Sequence, residues 1–402
     1  MKLPHASVAL LILCTFCSQP KENEPAIAQD LTVPSNVNSS LPYLIKGNDG
    51  KLYLSWIEKG DSIQSVFKFS SLEADNWDTP EVIAQGNNWF VNWADYPMIA
   101  IDNVGNKIAH YLAKSSAGTY SYDVNVVLKH TDSINWSAPI IPHSDGTPTE
   151  HGFTTLLAGT DGSFTLAWLD GRNTGGGDHS NHGTGGAMTL RTAQIDLEGN
   201  LSEEEELDGR VCDCCQTSGV MTNDGPVFVY RDRSVDEIRD MAYVTKKNGQ
   251  WQAPKLVAED NWNIAGCPVN GPRMAATENG TAVAWYTAAL NRPKVKVAFK
   301  SGADFDEPII IDNTSPIGRV DIVMINNQTA IVSWLDGGDN PAIKYRTVNQ
   351  NGSMSSVFLL AETSKERGSG FPQMEVHNGS LYFAWTEMGD VDLIRMKKVT
   401  LP

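Results

Sequence analysis

The sequence predicts an all-β chain folded as a β-propeller of four-stranded blades, seven in number, with six as the alternative. Three observations predict it. Short alternating apolar runs are broken by turn residues every ten or so positions, which is the period of strands in a meander. One unit recurs along the body. No segment reads as a long amphipathic helix.

The recurring unit is clearest between Leu41 and Ala84. Strands are expected at 42–46, 51–57, 66–69 and 80–84, with a turn at Gly47-Asn-Asp-Gly50 and a polar turn at 71–77. The second strand aligns best across the chain. It ends at Trp56, Tyr111, Trp168, Arg231, Trp285, Trp334 and Trp385, at spacings of roughly 50 to 60 residues. The preceding inner strands recur as PMIAID, TTLLAG, SGVMTN, PRMAAT, VDIVMI and PQMEVH. Radial repetition of four-stranded units leaves only short, protected edges. The last unit stops after 393–399 without a fourth strand, and residues 30–33 can supply it, closing the ring by strand pairing.

Domain organisation follows. Lys2 and His5 precede an apolar run at 6–16, too short to span a bilayer and of signal-peptide length. Residues 1–17 read as a signal peptide, 18–30 as a polar tether and 31–402 as one propeller domain. Cys17 stands where a bacterial lipoprotein carries its lipid, although Cys14-Thr15-Phe16 is a poor lipobox. The expected location is therefore the bacterial envelope as a lipoprotein, or the periplasm or exterior as a secreted monomer. The chain has 402 residues, 41% hydrophobic and 20% charged, with a net charge of −17. That charge argues against nucleic acid and against docking on an anionic membrane surface, since both need a basic face.

The turns between third and fourth strands carry a degenerate motif: Ser71-Leu-Glu-Ala-Asp-Asn-Trp77, Thr131-Asp-Ser-Ile-Asn-Trp136, Lys247-Asn-Gly-Gln-Trp251 and Ser301-Gly-Ala-Asp-Phe305. Most precede a proline-containing strand. The pattern resembles the Asp-box, Ser-x-Asp-x-Gly-x-x-Trp, of the sialidase (BNR repeat) superfamily over nearly the whole mature chain. The motif specifies fold well and function poorly. The resemblance implies a glycan ligand and exo-sialidase-type glycoside hydrolysis: three arginines on a carboxylate, a tyrosine nucleophile assisted by a carboxylate, and an Asp acid/base. The family's Arg-Ile-Pro element is absent, and the first unit has no Arg. By position, Arg231, Arg273 and Arg319 form the candidate carboxylate-binding trio, the alternative being that they hold loops. Asp232 or Glu237 is the acid/base candidate and Tyr286 the nucleophile candidate.

Propeller geometry sorts the unusual residues. Loops leading into each inner strand, and loops from second to third strand, open on one face; the Asp-box turns lie on the other. Cys212, Cys214, Cys215, Cys267, Arg273, the 231–240 charge run and the Gly-rich 170–183 segment all fall on the first face, over blades three to five. Glu58, Asp170, Asp232, Asp336 and Glu387 stand just past the second-strand end residues; they either project toward the centre, with Asp170 and Asp336 as ligand contacts, or cap their own turns.

The body cysteines have three readings. Export makes disulfides the default: Cys267 with one of Cys212, Cys214 or Cys215, and the other two paired. A soft-metal site is the second, with four thiolates and His179 or His182 suiting copper(I) or zinc, although Cys-x-Cys-Cys departs from the usual zinc Cys-x-x-Cys. A reactive thiol is the third. A non-catalytic envelope propeller whose Cys/His cluster binds copper or zinc is thus the alternative to a glycan-processing enzyme.

Overall fold

The computed structural model describes residues 28–60, 63–175 and 186–401. These form seven antiparallel sheets in chain order. The inner strands are Ser39–Lys46, Met98–Ile101, His151–Ala158, Ser218–Thr222, Arg273–Ala276, Pro316–Asn326 and Gln373–His377. All seven line one axial channel of about 470 Å3. The fold is a seven-bladed β-propeller. No helix among the described residues is long and apolar enough to cross a membrane.

The ring closes between the two ends of the chain. Ala28–Leu31 pairs antiparallel with the last strand, Leu393–Thr400, with Ala28 opposite Val399 and Asp30 opposite Lys397. The closing strand starts two residues before the segment the sequence suggested. Blade two is the least complete: its three strands are followed by a single bridge, Val126 to Ile140, in place of an outer strand.

The motif turns share one hydrogen bond. The residue after each aromatic donates its N–H to a third-strand carbonyl: Asp78 to Ser71, Ser137 to Leu128, Gln252 to Thr245 and Asp306 to Phe299, at 2.7–2.9 Å. Ala74, Asn248 and Gly302, equivalent positions in three of these turns, have φ of 55°, 51° and 70°. The turn demands a left-handed residue, and only Gly302 meets that demand without steric cost. Aromatic residues of the turns reach the preceding blade. Trp136 packs edge-on against Phe69 and Phe305 against Tyr243.

The tryptophans that end the second strands are buried, and in blades one, three and five a clasp satisfies the indole N–H, whereas Trp334 Nε1 has no hydrogen-bond partner among the described residues. Trp56 donates Nε1–H to Glu58 at 2.9 Å, and Lys68, cross-strand from Trp56, pairs with the same carboxylate at 2.6 Å. Trp168 donates to Asp170 at 2.9 Å, and Arg172 holds Asp170 through two nitrogens. In blade five the carboxylate comes from the loop leading in: Trp285 donates to Asp260 at 2.7 Å, and cross-strand Lys296 pairs with Asp260. Lys344, opposite Trp334, pairs with Asp336; Arg395, opposite Trp385, pairs with Glu387. Asp170, Asp336, Glu58 and Glu387 are therefore engaged within their own blades. A buried carboxylate without such partners would cost several kcal/mol.

The clasp should be worth more where it is buried. Glu58→Ala is expected to lower stability by about 2 kcal/mol, because it leaves an indole N–H and an ammonium unpaired. Glu387→Ala, whose pair with Arg395 is half exposed, should cost less than about 1 kcal/mol. Urea unfolding checks both, and equal losses would contradict a role for burial.

Candidate functional site

The loop face over blades four and five is built by cross-loop hydrogen bonds. Gln216 donates to the Ala94 carbonyl of the loop leading into blade two (2.6 Å) and accepts from Gly271 N–H of the loop leading into blade five (2.9 Å). A side chain at Gly271 would sit 2.2 Å from the Gln216 carbonyl oxygen, so this approach requires glycine. Cys212 N–H donates to the Arg231 carbonyl at 3.0 Å, pinning the cysteine loop to the second-strand end of blade four.

That pinning brings the thiols together. Cys212, Cys214 and Cys215 are buried, and their sulfurs lie within 4.8 Å of one another. The Cys212 and Cys215 sulfurs are 3.4 Å apart. A disulfide requires about 2.05 Å, and none of the four body cysteines is in one. The disulfide expectation is therefore corrected: the loop clusters thiols without bonding them. Cys212 and Cys215 also have the Cys-x-x-Cys separation that the reading of Cys-x-Cys-Cys overlooked. Cys267 is exposed, and its thiol hydrogen-bonds Cys214.

Charged groups surround the thiols in a fixed order. Arg239 Nη1 lies 3.2 Å from Cys212 Sγ. Burial opposes ionisation of Cys212, but hydrogen bonds from Cys214 and Cys215 and the charges of Arg239 and Arg231 outweigh it and hold the thiol well below its ordinary range. Burial pushes Cys214 and Cys215 upward. Glu237 is clamped between Arg233 and Arg239, at 2.7 Å to each, and stays ionised. Arg233 also holds Asp213 at 3.1 Å. Glu237 thus serves as an anchor for two arginines, an arrangement unsuited to proton donation. Asp232 is half-buried, and burial raises it to about 6 against the hydrogen bond from Arg233 N–H; it keeps the proton affinity an acid/base requires.

The three candidate arginines have separate partners. Arg231 donates to the backbone carbonyls of Asn270, Arg239 and Tyr286 and stacks over Trp262. Arg319, at φ 51°, donates to the carbonyls of Lys365, Glu366 and Gly370 and to Ser369, and lies over Trp93. Both are loop staples flanking Asn270. Arg273 differs. Its Nε is held by Asp321 at 3.0 Å, while Nη1 and Nη2 face the Tyr96 hydroxyl and Gln373 at 3.5 and 3.3 Å, at the mouth of the channel. Tyr286 is half-buried, edge-on to Trp262, and burial raises its hydroxyl. His179 and His182 lie outside the described residues, as does Cys17.

One cluster escaped sequence reasoning. His143 and His151 stack in parallel, with centroids 3.8 Å apart. Asp145 lies 3.1 Å from His143 Nδ1 and 3.2 Å from His151 Nε2, and Asp123 and Asp170 lie within 4 Å of His151. The rings meet face to face, so each directs its nitrogens in-plane toward the surrounding carboxylates; Asp123, His143 and His151, and likewise Asp145, His151 and Asp170, bring donor atoms within 4.8 Å of one another, a set that could hold a metal ion. The signal was register: His151 begins an inner strand directly opposite Asp170.

No protein-family model and no curated protein matches the chain. Solved structures do match. The BP39L lectin from Burkholderia pseudomallei is similar over 90% of this chain and 95% of its own, with TM-score 0.60 and 11% identity. A protein of unknown function from Dyadobacter fermentans DSM 18053 matches over 93% and 99%, with TM-score 0.53 and 11% identity. The polysaccharide lyase Uly1 matches over 90% of each chain, with TM-score 0.52 and 11% identity. At such identities the likeness is one of fold.

Asp232 provides a pH test. Its folded pKa lies above the ordinary value of about 3.9, so ionising it costs stability as pH rises from about 4 through about 6. Asp232→Asn removes that cost. The variant should match wild type below about pH 4 and gain stability steadily to about pH 7. Urea unfolding across this range checks it, and a pH-independent difference would contradict the assignment.

Proposed function

We propose that the protein is an exported, glycan-recognising propeller whose ligand site opens on the loop face at the channel mouth. The observation that carries this reading is Arg273. It is the one member of the arginine trio whose Nη groups point at side chains around the channel, Tyr96 and Gln373, with Tyr43 beneath the guanidinium at 5.9 Å. A guanidinium held by Asp321 through Nε keeps its outer edge for a carboxylate or for sugar hydroxyls. Similarity to a lectin and to a polysaccharide lyase supports a carbohydrate ligand. The sialidase resemblance supports an acidic sugar, and Asp232 is the acid/base candidate if turnover occurs. Such neighbours also support an extracellular setting, with residues 1–17 as the export signal and Cys17 as a lipid anchor.

A second reading is favoured by the thiol cluster. Three buried sulfurs within 4.8 Å of one another, none in a disulfide, beside a guanidinium, match the donor set of a soft metal ion. This reading makes the protein a metal-binding propeller of the envelope, and it does not exclude a glycan site at the channel mouth.

Two assays test the glycan reading. A fluorogenic sialoside tests turnover, and calorimetric titration with uronic-acid and sialic-acid oligosaccharides tests binding. Arg273→Ala is expected to weaken binding of the acidic sugar at least tenfold while leaving neutral sugars unaffected. Binding or turnover that survives Arg273→Ala unchanged would overturn the placement.

A further inference from the structure

We propose that the cysteine loop of blade four is a three-thiolate copper(I) site loaded through Cys267. The inference rests on the soft-metal reading and assigns the ion, the resident ligands and the way in.

The ion follows from the donors. Cys212, Cys214 and Cys215 supply three sulfurs within one ligand shell. Of the nearby carboxylates, Asp213 is committed to Arg233 and Glu237 to Arg233 and Arg239, while Asp232 accepts the Arg233 N–H. Hard oxygen ligands are thus withheld while soft ones converge. Thiolate ligands select copper(I), zinc and iron–sulfur clusters, and structural zinc takes four ligands in a closed tetrahedron. Here three sulfurs are buried and the fourth, Cys267, is exposed. Three buried thiolates and one copper(I) carry a net charge of −2. Arg239, in contact with Cys212, and Arg231, behind the same loop, offset part of this charge, although Glu237 already pairs with Arg239. A buried charge of this size requires such compensation.

The roles of the sulfurs follow from burial. Cys212 and Cys215 are each 1% exposed, Cys214 is 8% exposed, and Cys267 stands at the surface in hydrogen-bonding contact with Cys214. The four sulfurs therefore form a path from solvent to the interior. Copper(I) binds first at Cys267. The Cu–S bond to Cys267 then breaks as Cu–S bonds to Cys214, Cys212 and Cys215 form. Copper stays in the +1 state throughout, and no electrons move. Cys267 gives its proton to water as the first Cu–S bond forms and takes one back as that bond breaks; the resident sulfurs bind as thiolates and release to water the protons they still carry.

The test uses the full mature chain under anaerobic conditions, with copper(I) supplied as its bicinchoninate complex. One equivalent should bind, and zinc(II) offered at equal concentration should not displace it. Iodoacetamide labelling with mass spectrometry should then show Cys212, Cys214 and Cys215 protected and Cys267 still reactive. Cys267→Ser should keep the stoichiometry, with affinity within about threefold, but slow transfer from bicinchoninate at least tenfold. Arg239→Met should weaken binding by about 10- to 100-fold, as loss of an outer-shell partner does. Preferential zinc(II) binding would overturn the choice of ion and leave the site standing. Protection of all four cysteines, or loss of binding in Cys267→Ser, would overturn the loading role. Failure of wild type to bind either ion, with all four thiols reactive after denaturation, would overturn the soft-metal reading itself. The labelling pattern is read on wild type, so it decides the matter even where a variant fails to fold.

Discussion

Six of the seven blades bury a large aromatic at the end of the second strand, and where it is tryptophan the indole N–H calls for an acceptor. In blades one and three a carboxylate two residues further on accepts it, and a cation pairs with that carboxylate. Blade five meets the same demand with Asp260, which comes from the loop leading into the blade. Blades six and seven keep the carboxylate and the cross-strand cation. The arrangement fixes where each second strand ends and how the loop beyond it departs. It also neutralises a ring of acids on the loop face, so that what remains exposed there comes from exceptions to the repeat.

Blade four is the main exception. Arg231 stands where the other blades place tryptophan or, in blade two, tyrosine, and its guanidinium reaches outward to the backbone carbonyls of Asn270, Arg239 and Tyr286. This ties blade four to the loop leading into blade five. The space beside it is taken by the cysteine loop, held by Cys212 N–H on the Arg231 carbonyl and by Gln216 between the neighbouring loops. One substitution in the repeat thus links the staple and the thiol cluster. The Arg273 channel mouth belongs to the same face but depends on different partners, so the proposed glycan site and the proposed metal site do not compete for residues.

Much of this was legible in the chain. The spacing of the second-strand ends, five tryptophans with Tyr111 and Arg231, marked seven units, and the unfinished last unit marked the ring closure. Sorting loops by face gathered the cysteines and the charge run correctly, because strand alternation fixes which end of a blade a residue occupies. The roles of single charges were not legible. Arg231 and Arg319 read as ligand-binding residues, yet backbone carbonyls from distant loops claim them, and carbonyl positions leave no mark in a sequence. Glu237 read as an acid, but Arg233 and Arg239 close on it only once the 233–239 turn folds. The pairing of His143 with His151 left no mark in the sequence, because it needs the 141–150 loop to return beside the third strand of blade two. The default of disulfides in an exported protein failed locally because the loop geometry sets Cys212 and Cys215 near each other without joining them.

The central claim is that blade four departs from the repeat in order to hold soft sulfur ligands around one ion. A crystal of the copper(I)-loaded protein, with anomalous difference density recorded across the copper edge, tests it most directly. The account requires a single copper peak bonded to the sulfurs of Cys212, Cys214 and Cys215, with Cys267 unbound at the surface. A Cys212–Cys215 disulfide with no peak between these residues would contradict it.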